Sequence, residues 1–283
     1  MNDARRSYDE HAARWNGPAG HAWVDLQEVL NGMFGPIEEL LVDAVAAEHP
    51  ASVLDVGCGT GAVTRAVARR VGHCVGVDVS GPMIEAARAQ AEREGVAASF
   101  VQADAQEYAF EPAAFDAVVS RFGVMFFDDP VRAFANLRST TRDGAGLRCA
   151  VWRGAEENPF MTTAERAAAP FLPELPVRRA DEPGQFAFAD PERVRRILAE
   201  SGWAGIDIRP VDVLCTLPEK DLVTYFSRLG PLGTVLPGAD ERTRAEIVEV
   251  VRPAFDPFVQ GADVRYTAAC WMVSARAADA KLS

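Results

Sequence analysis

Three glycines at alternate positions, Gly57, Gly59 and Gly61, follow the apolar run Val53-Leu54-Asp55-Val56, and a helical pattern begins at Ala62. A strand that runs into such a loop and then into a helix places a ligand at the strand's carboxyl end. Glycine takes positive φ and has no Cβ to hold a ligand away, so this loop lies against a flat, nucleotide-like edge. A dinucleotide-binding loop needs two residues between its second and third glycines, and here Thr60 stands alone between them. Asp55 also argues against a diphosphate. Its carboxylate repels phosphate, while its hydrogen bonds either fix the loop or face a ligand ammonium group.

The next apolar run, Cys74-Val75-Gly76-Val77-Asp78-Val79, carries an acid about 20 residues after Gly57, the usual place for a carboxylate that grips ribose hydroxyls. Val101-Gln102-Ala103-Asp104-Ala105 and Phe115-Asp116-Ala117-Val118-Val119-Ser120-Arg121 follow in order. Together these strand ends resemble the class I S-adenosylmethionine-dependent methyltransferases, and within them the small-molecule group similar to the ubiquinone and menaquinone biosynthesis methyltransferases. The resemblance covers roughly the first half of the chain. It implies a Rossmann-like, doubly wound α/β sheet, mostly parallel with an antiparallel last strand, to which the chain adds N-terminal helices and lid insertions.

Composition sets limits on partners. The 283 residues suit one α/β core with an elaborated lid. A formal charge of −12 without a basic run disfavours nucleic acid and anionic membranes as partners. Of 29 basic residues all but Lys220 and Lys281 are arginine, which with the abundant alanine points to a GC-rich coding genome. Cys58, Cys74, Cys149, Cys215 and Cys270 are odd in number and scattered, with no C-x-x-C pair, so the expectation is a reduced, cytoplasmic, metal-free protein. The N-terminus is polar, and no apolar stretch nears the ~20 residues of a membrane span, so neither export nor an anchor is expected.

The chain divides into four expected segments: an N-terminal helical cap (1–50), a cofactor-binding core (51–153), a lid insertion (154–190), and the rest of the core (191–283) with a second helical insertion near 216–260. The cap, with Tyr8, Trp15, Trp23 and Phe34, is expected to be helical but broken at Asn16-Gly17-Pro18 and again at Gly35-Pro36. Alternating apolar runs and helical patterns from Ser52 to Arg153 predict a parallel sheet with crossover helices. Ser80-Gly81-Pro82, Asp129-Pro130 and Asp190-Pro191 are helix starts, and Asp143-Gly144 is a turn. Strands are expected near Ile206–Leu214 and Val264–Ser274, with helices near Asp221–Leu229 and Asp240–Ala254 between them. By resemblance, the second insertion lies inside the hairpin of these last two strands.

Residues that end successive strands converge on one cleft in such a sheet. The resemblance implies that the loop containing Gly57, Cys58, Gly59 and Gly61 backs the methionine part of S-adenosylmethionine. It likewise implies that Asp78, beside Val79, takes the ribose hydroxyls and that Asp104 and the backbone of Ala105 hold the adenine edge. The alternative is that both acids cap the turns that follow. Arg121 either carries a substrate anion or the cofactor carboxylate, or pairs with Asp128 or Asp129. Phe122, Trp15 and Trp23 either face the reactive cation or serve as core. Of His11, His21, His49 and His73, all before the second strand, His21 is the candidate general base, and His49 and His73 are expected to be exposed. Phe160, Phe171, Phe186, Phe188, Phe226 and Phe258 line an apolar substrate pocket or pack the lid.

The expected activity is transfer of a methyl group to oxygen, nitrogen or carbon of a small organic acceptor in specialised metabolism, a quinone-type or phenolic acceptor being the first choice. Two alternatives stand beside it: a nicotinamide-dependent oxidoreductase, which shares the glycine loop and second-strand acid, and a non-catalytic cofactor-binding or partner-binding protein of the same fold. Oligomeric state is open.

Overall fold

The apolar runs become the parallel strands β1 (Val53–Val56), β2 (Cys74–Asp78), β3 (Ala98–Gln102), β4 (Phe115–Arg121) and β5 (Thr141–Trp152) of the computed structural model. Residues 12–13, 15–176, 178–179 and 182–278 are described, so Tyr8 and His11 lie outside the described residues. Three later strands, β6 (Trp203–Pro218), β7 (Val259–Gln260) and β8 (Asp263–Ala277), complete one sheet in the order β3-β2-β1-β4-β5-β8-β6, with β7 on β8. β8 runs antiparallel to both β5 and β6, so the mostly parallel sheet ends in antiparallel strands. The strand order reverses between β1 and β4, which opens a crevice at their carboxyl ends.

Crossover helices cover the sheet. α1 (Pro18–Asp25) and α2 (Gln27–Ala46) precede β1, and α3 (Ala62–Val71), α4 (Gly81–Glu94) and α5 (Pro130–Thr140) follow β1, β2 and β4. α6 (Pro159–Ala168) lies in the first insertion, α7 (Pro191–Glu200) leads into β6, and α8 (Leu222–Arg228), α9 (Gly230–Val235) and α10 (Glu241–Val251) lie between β6 and β8. The helix starts read from the sequence are real caps. The side chains of Ser80, Asp129 and Asp190 accept from the backbone N–H groups of Met83, Arg132 and Glu192.

Two local expectations need correction. α2 does not break at Gly35-Pro36 but runs through Pro36 to Ala46. An interior proline costs about 3 kcal/mol, yet Leu30, Met33, Phe34, Ile37 and Leu41 are all buried along one face. At ~1.5–3 kcal/mol per buried large side chain, that face outweighs the proline. The Asp143-Gly144 turn is absorbed into β5 as an irregularity. Phe115 faces Thr141 but Ala117 faces Gly146, and Gly144 takes φ 77°.

β1 is buried along its whole length, Asp55 included. The Thr64 hydroxyl donates to Asp55 Oδ2 at 2.6 Å. Burial pushes this carboxyl up to about 7, with Glu38 and Asp78 adding to the rise, against the Thr64 hydrogen bond and Arg121. At the root of the first insertion, buried Asn158 donates through Nδ2 to the Gly154 and Ala269 carbonyls (3.1 and 3.0 Å) and accepts from Ala269 N–H at 2.9 Å. This side chain ties the insertion to β8. Among the described residues no helix is long and apolar enough to cross a membrane.

Asn158→Ala leaves the buried N–H and carbonyl of Ala269 without these partners and is expected to lower the unfolding free energy by about 2–4 kcal/mol, read from urea denaturation. Asp55 gives a pH-dependent effect. Its folded pKa lies above its unfolded one, so between about pH 4 and 7 the folded state holds a proton that the unfolded state has lost, and stability falls as pH rises across that window. The loss approaches the order of 4 kcal/mol above pH 7. Asp55→Asn is expected to gain Tm relative to the parent from pH 5 to 7 and then level off; a constant offset would show that Asp55 is ionised throughout.

Candidate active site

The β1 and β4 loops meet almost without clearance. Gly57 has φ 67°, and a Cβ there would lie 2.5 Å from Gly123 Cα. The Ser120 hydroxyl fixes the approach by donating to the Val56 carbonyl at 2.7 Å and accepting from Gly123 and Val124 N–H at 3.2 and 3.3 Å. The turn forces Phe122 to φ 66°, a left-handed conformation that costs a non-glycine residue about 1–3 kcal/mol. Its ring is thereby laid on Trp152, with centroids 4.5 Å apart and planes at 9°.

Beyond these loops lies a cavity of about 640 Å³. Gly57, Gly59, Asp78, Val79, Asp104 and Ala105 line its strand-end half. Asp78 accepts from Gly59 N–H at 2.8 Å through Oδ2 and from Ser80 N–H at 2.9 Å through Oδ1, joining the first and second loops. Asp104 accepts from the backbone N–H of Gln106 at 2.9 Å, and Asn136 Nδ2 holds the Ala105 carbonyl at 2.9 Å. Both acids therefore bind the turns that follow them and also border the cavity.

The N-terminal segment closes one side. Trp15 and Trp23 line the cavity, edge-to-face at 6.3 Å, and Trp15 meets Phe126 at 5.3 Å. Asn16 locks this segment to the second loop. Its Nδ2 donates to the Val79 carbonyl at 3.1 Å and its Oδ1 accepts from Gly81 N–H at 2.8 Å, while Ser80 Oγ donates to the Trp15 carbonyl at 2.7 Å. Arg121 and Phe122 line both the large cavity and a small one beside it, which Asp55 and Cys58 also border. Arg121 Nη1 donates to Glu38 at 3.1 Å and the guanidinium lies 5.8 Å from the Phe34 ring centre. Its partner is thus α2, not Asp128 or Asp129. Burial lowers Arg121 from its ordinary value, while Glu38 and Asp55 hold it up.

Three residues expected at the site do not line the large cavity. His21 lines neither cavity; it is exposed, with Nδ1 2.9 Å from the Gly17 carbonyl in its own helical turn, so it is no base for a bound substrate. His49 and His73 are exposed too. Gly61 faces away from the cavity: a Cβ there would press on the Phe100 ring at 2.7 Å, so it serves helix-to-sheet packing. Cys58 touches only the small cavity, and burial, with Asp78 and Asp55, pushes its thiol well up, leaving it a neutral thiol.

Both insertions reach the other half of the cavity. Phe160, Phe186 and Phe226 line it, whereas Phe171 is exposed, Phe188 packs on Phe134, and Phe258 sits behind Phe160. Sequence reasoning missed Asn16, Trp152, Tyr225 and Phe255, and the pair Arg178–Glu165 (2.7 Å). Trp152 ends the fifth strand, so the strand-end rule that found Asp78 would have found it. The others depend on contacts far apart in the chain. Among the described residues no group of three or more potential ligands is placed to hold a metal ion.

The lining suits a nucleoside bearing a positive charge: two carboxylates for hydroxyl and amino protons, loop backbone at Gly57 and Gly59, and aromatic walls. A family model described as a methyltransferase domain matches residues 53–144, from β1 into β5. The demethylmenaquinone methyltransferase of Renibacterium salmoninarum is 27% identical over 209 residues, 71% of this chain and 86% of that protein. The aklanonic acid methyltransferase DauC of Streptomyces sp. strain C5 is 38% identical over 106 residues, 36% of this chain and 48% of that protein, so the chain spans less than half of its length. Among solved structures, the YcgJ protein of Bacillus subtilis superimposes with a TM-score of 0.57 at 15% identity, over 86% of this chain and 98% of that one, a likeness of fold. The match from β1 to β5 sets aside the nicotinamide alternative, in agreement with the glycine spacing and Asp55. Residues 53–144 thus match a methyltransferase domain, the relatives over most of the chain include methyltransferases, and the sheet has the same fold, so the chain is similar to the class I S-adenosylmethionine-dependent methyltransferases.

Proposed function

We propose that this methyltransferase acts on a small, largely apolar acceptor with a planar ring, of quinone or phenol type, held against the cofactor in the 640 Å³ cavity. One observation carries the reading: the two insertions bring Phe160, Phe186, Phe226 and Phe255 to the same cavity whose opposite end is Gly57, Asp78 and Asp104. Relatives named for demethylmenaquinone and aklanonic acid support a small-molecule acceptor. S-adenosylmethionine supplies a methyl group already activated on a sulfonium.

The chain's own residues have three tasks. Asp78 and Asp104 accept hydrogen bonds from the nucleoside, and the amides on Asp78 keep it aimed. Trp15, Trp23 and the Phe122–Trp152 stack offer aromatic faces to a cation, worth about 0.5–2 kcal/mol. The insertion aromatics orient the acceptor ring and exclude water, and alignment of this kind can supply as much as ~7–11 kcal/mol of a bimolecular barrier. No histidine lines the cavity among the described residues. Cys58, Cys74, Cys149, Cys215 and Cys270 are all unpaired and buried, which suits a reducing, cytoplasmic setting.

Asp78→Ala is expected to weaken S-adenosylmethionine binding by ~1.5–3 kcal/mol, roughly ten- to a hundredfold in Kd, by calorimetric titration of a variant with parental circular dichroism. Unchanged affinity removes Asp78 from the site. Transfer of a labelled methyl group to naphthols and hydroquinones, against amines and carboxylic acids, tests the acceptor class.

A further inference from the structure

The acceptor half of the cavity contains one buried phenol. Tyr225, on α8, lines it and is 9% exposed. Its ring is held by a stacking contact with Phe160 (5.7 Å, 23°), and Phe160 is itself stacked on Tyr266 (4.0 Å, 8°). The hydroxyl's hydrogen-bond partner is the Met161 sulfur at 3.7 Å, and Met161 lines the same cavity. A thioether is a weak acceptor on a flexible stem, so a ligand oxygen displaces it readily. Burial raises the Tyr225 phenol, which stays a proton donor at neutral pH. Tyr266 does not line the cavity.

Charge in the lining is already balanced. Arg121 pairs with Glu38 (3.1 Å), Arg178 with Glu165 (2.7 Å), Arg179 with Glu182 (3.0 Å) and Arg228 with Asp25 (2.6 Å). Asp78 and Asp104 add negative charge at the strand ends. An anionic acceptor in the buried part of the cavity would have to take Arg121 from Glu38 or Arg178 from Glu165, and breaking a largely buried pair is strongly disfavoured.

We propose that Tyr225 is a specificity-determining residue. Its O–H leaves the Met161 sulfur and donates to an oxygen of a neutral, planar acceptor, so that the site selects carbonyl- or hydroxyl-bearing rings over carboxylates of the same shape. This rests on the reading of the cavity as the acceptor site.

The test measures binding rather than turnover. Parent and Tyr225→Phe proteins, each saturated with S-adenosylhomocysteine, are titrated with 2-naphthol, 2-methylnaphthalene and 2-naphthoate. The parent is expected to bind 2-naphthol at least about tenfold more tightly than 2-naphthoate. Tyr225→Phe is expected to lose about three- to tenfold for 2-naphthol, one neutral hydrogen bond, and nothing for 2-methylnaphthalene. An equal loss for both rings, no loss for 2-naphthol, parity of 2-naphthoate, or failure of all three ligands while S-adenosylhomocysteine binds would each overturn the proposal. Absence of S-adenosylhomocysteine binding would instead overturn the functional reading beneath it.

Discussion

The contact between Gly57 and Gly123 is the constraint on which the rest of the cavity depends. β1 and β4 are neighbours at the point where the strand order reverses, and their loops can approach this closely because neither contact residue has a Cβ. Three hydrogen bonds to one hydroxyl, that of Ser120, hold the approach. Its consequence is the left-handed backbone at Phe122, an unfavourable conformation that the surrounding packing imposes. That backbone turns the Phe122 ring onto Trp152 and toward Phe34, at 5.4 Å, so one tight turn at the sheet becomes an aromatic wall.

The same economy appears in the electrostatics beneath the wall. α2 survives Pro36 because its apolar face is buried, and by continuing it delivers Glu38 to Arg121. Arg121 in turn lowers the carboxyl of Asp55, which Glu38 and Asp78 raise. A break at Pro36 would leave a buried arginine without its carboxylate, a loss far larger than that of an exposed pair such as Arg242–Glu246. Continuity of one helix therefore supports both the packing of the sheet and the charge state under the glycine loop.

What the sequence revealed follows from range. The parallel strands and their helix starts were legible because apolar runs, the 3.6 period and caps such as Ser80 and Asp129 are local signals. Asp78 and Asp104 were legible because strand ends must converge. Pro36 misled because a local rule for breaking helices was overruled by burial that only the tertiary structure supplies. His21 misled for the opposite reason: its neighbours in sequence, Trp15 and Trp23, do reach the cavity, but helical rotation turns the imidazole outward onto the Gly17 carbonyl. Asn16 and Asn158 each act across the chain, on Val79 and Gly81 and on Ala269, and a lone asparagine carries no sign of such partners.

The two halves of the cavity are built by different means, and this separates what is constant from what can vary. Backbone amides pinned to Asp78 and loops closed by Ser120 form the strand-end half, so its shape is tied to the sheet itself. Side chains on α6, α8 and the turn at Phe255 form the other half, and their helices are anchored to the sheet at a few points, chiefly Asn158 on β8 and the β6–β8 register. A change at Phe226 or Tyr225 alters the cavity wall without touching a residue of β1, β2 or β4. A side chain at Gly57, whose missing Cβ admits Gly123, would force the β1 and β4 loops apart.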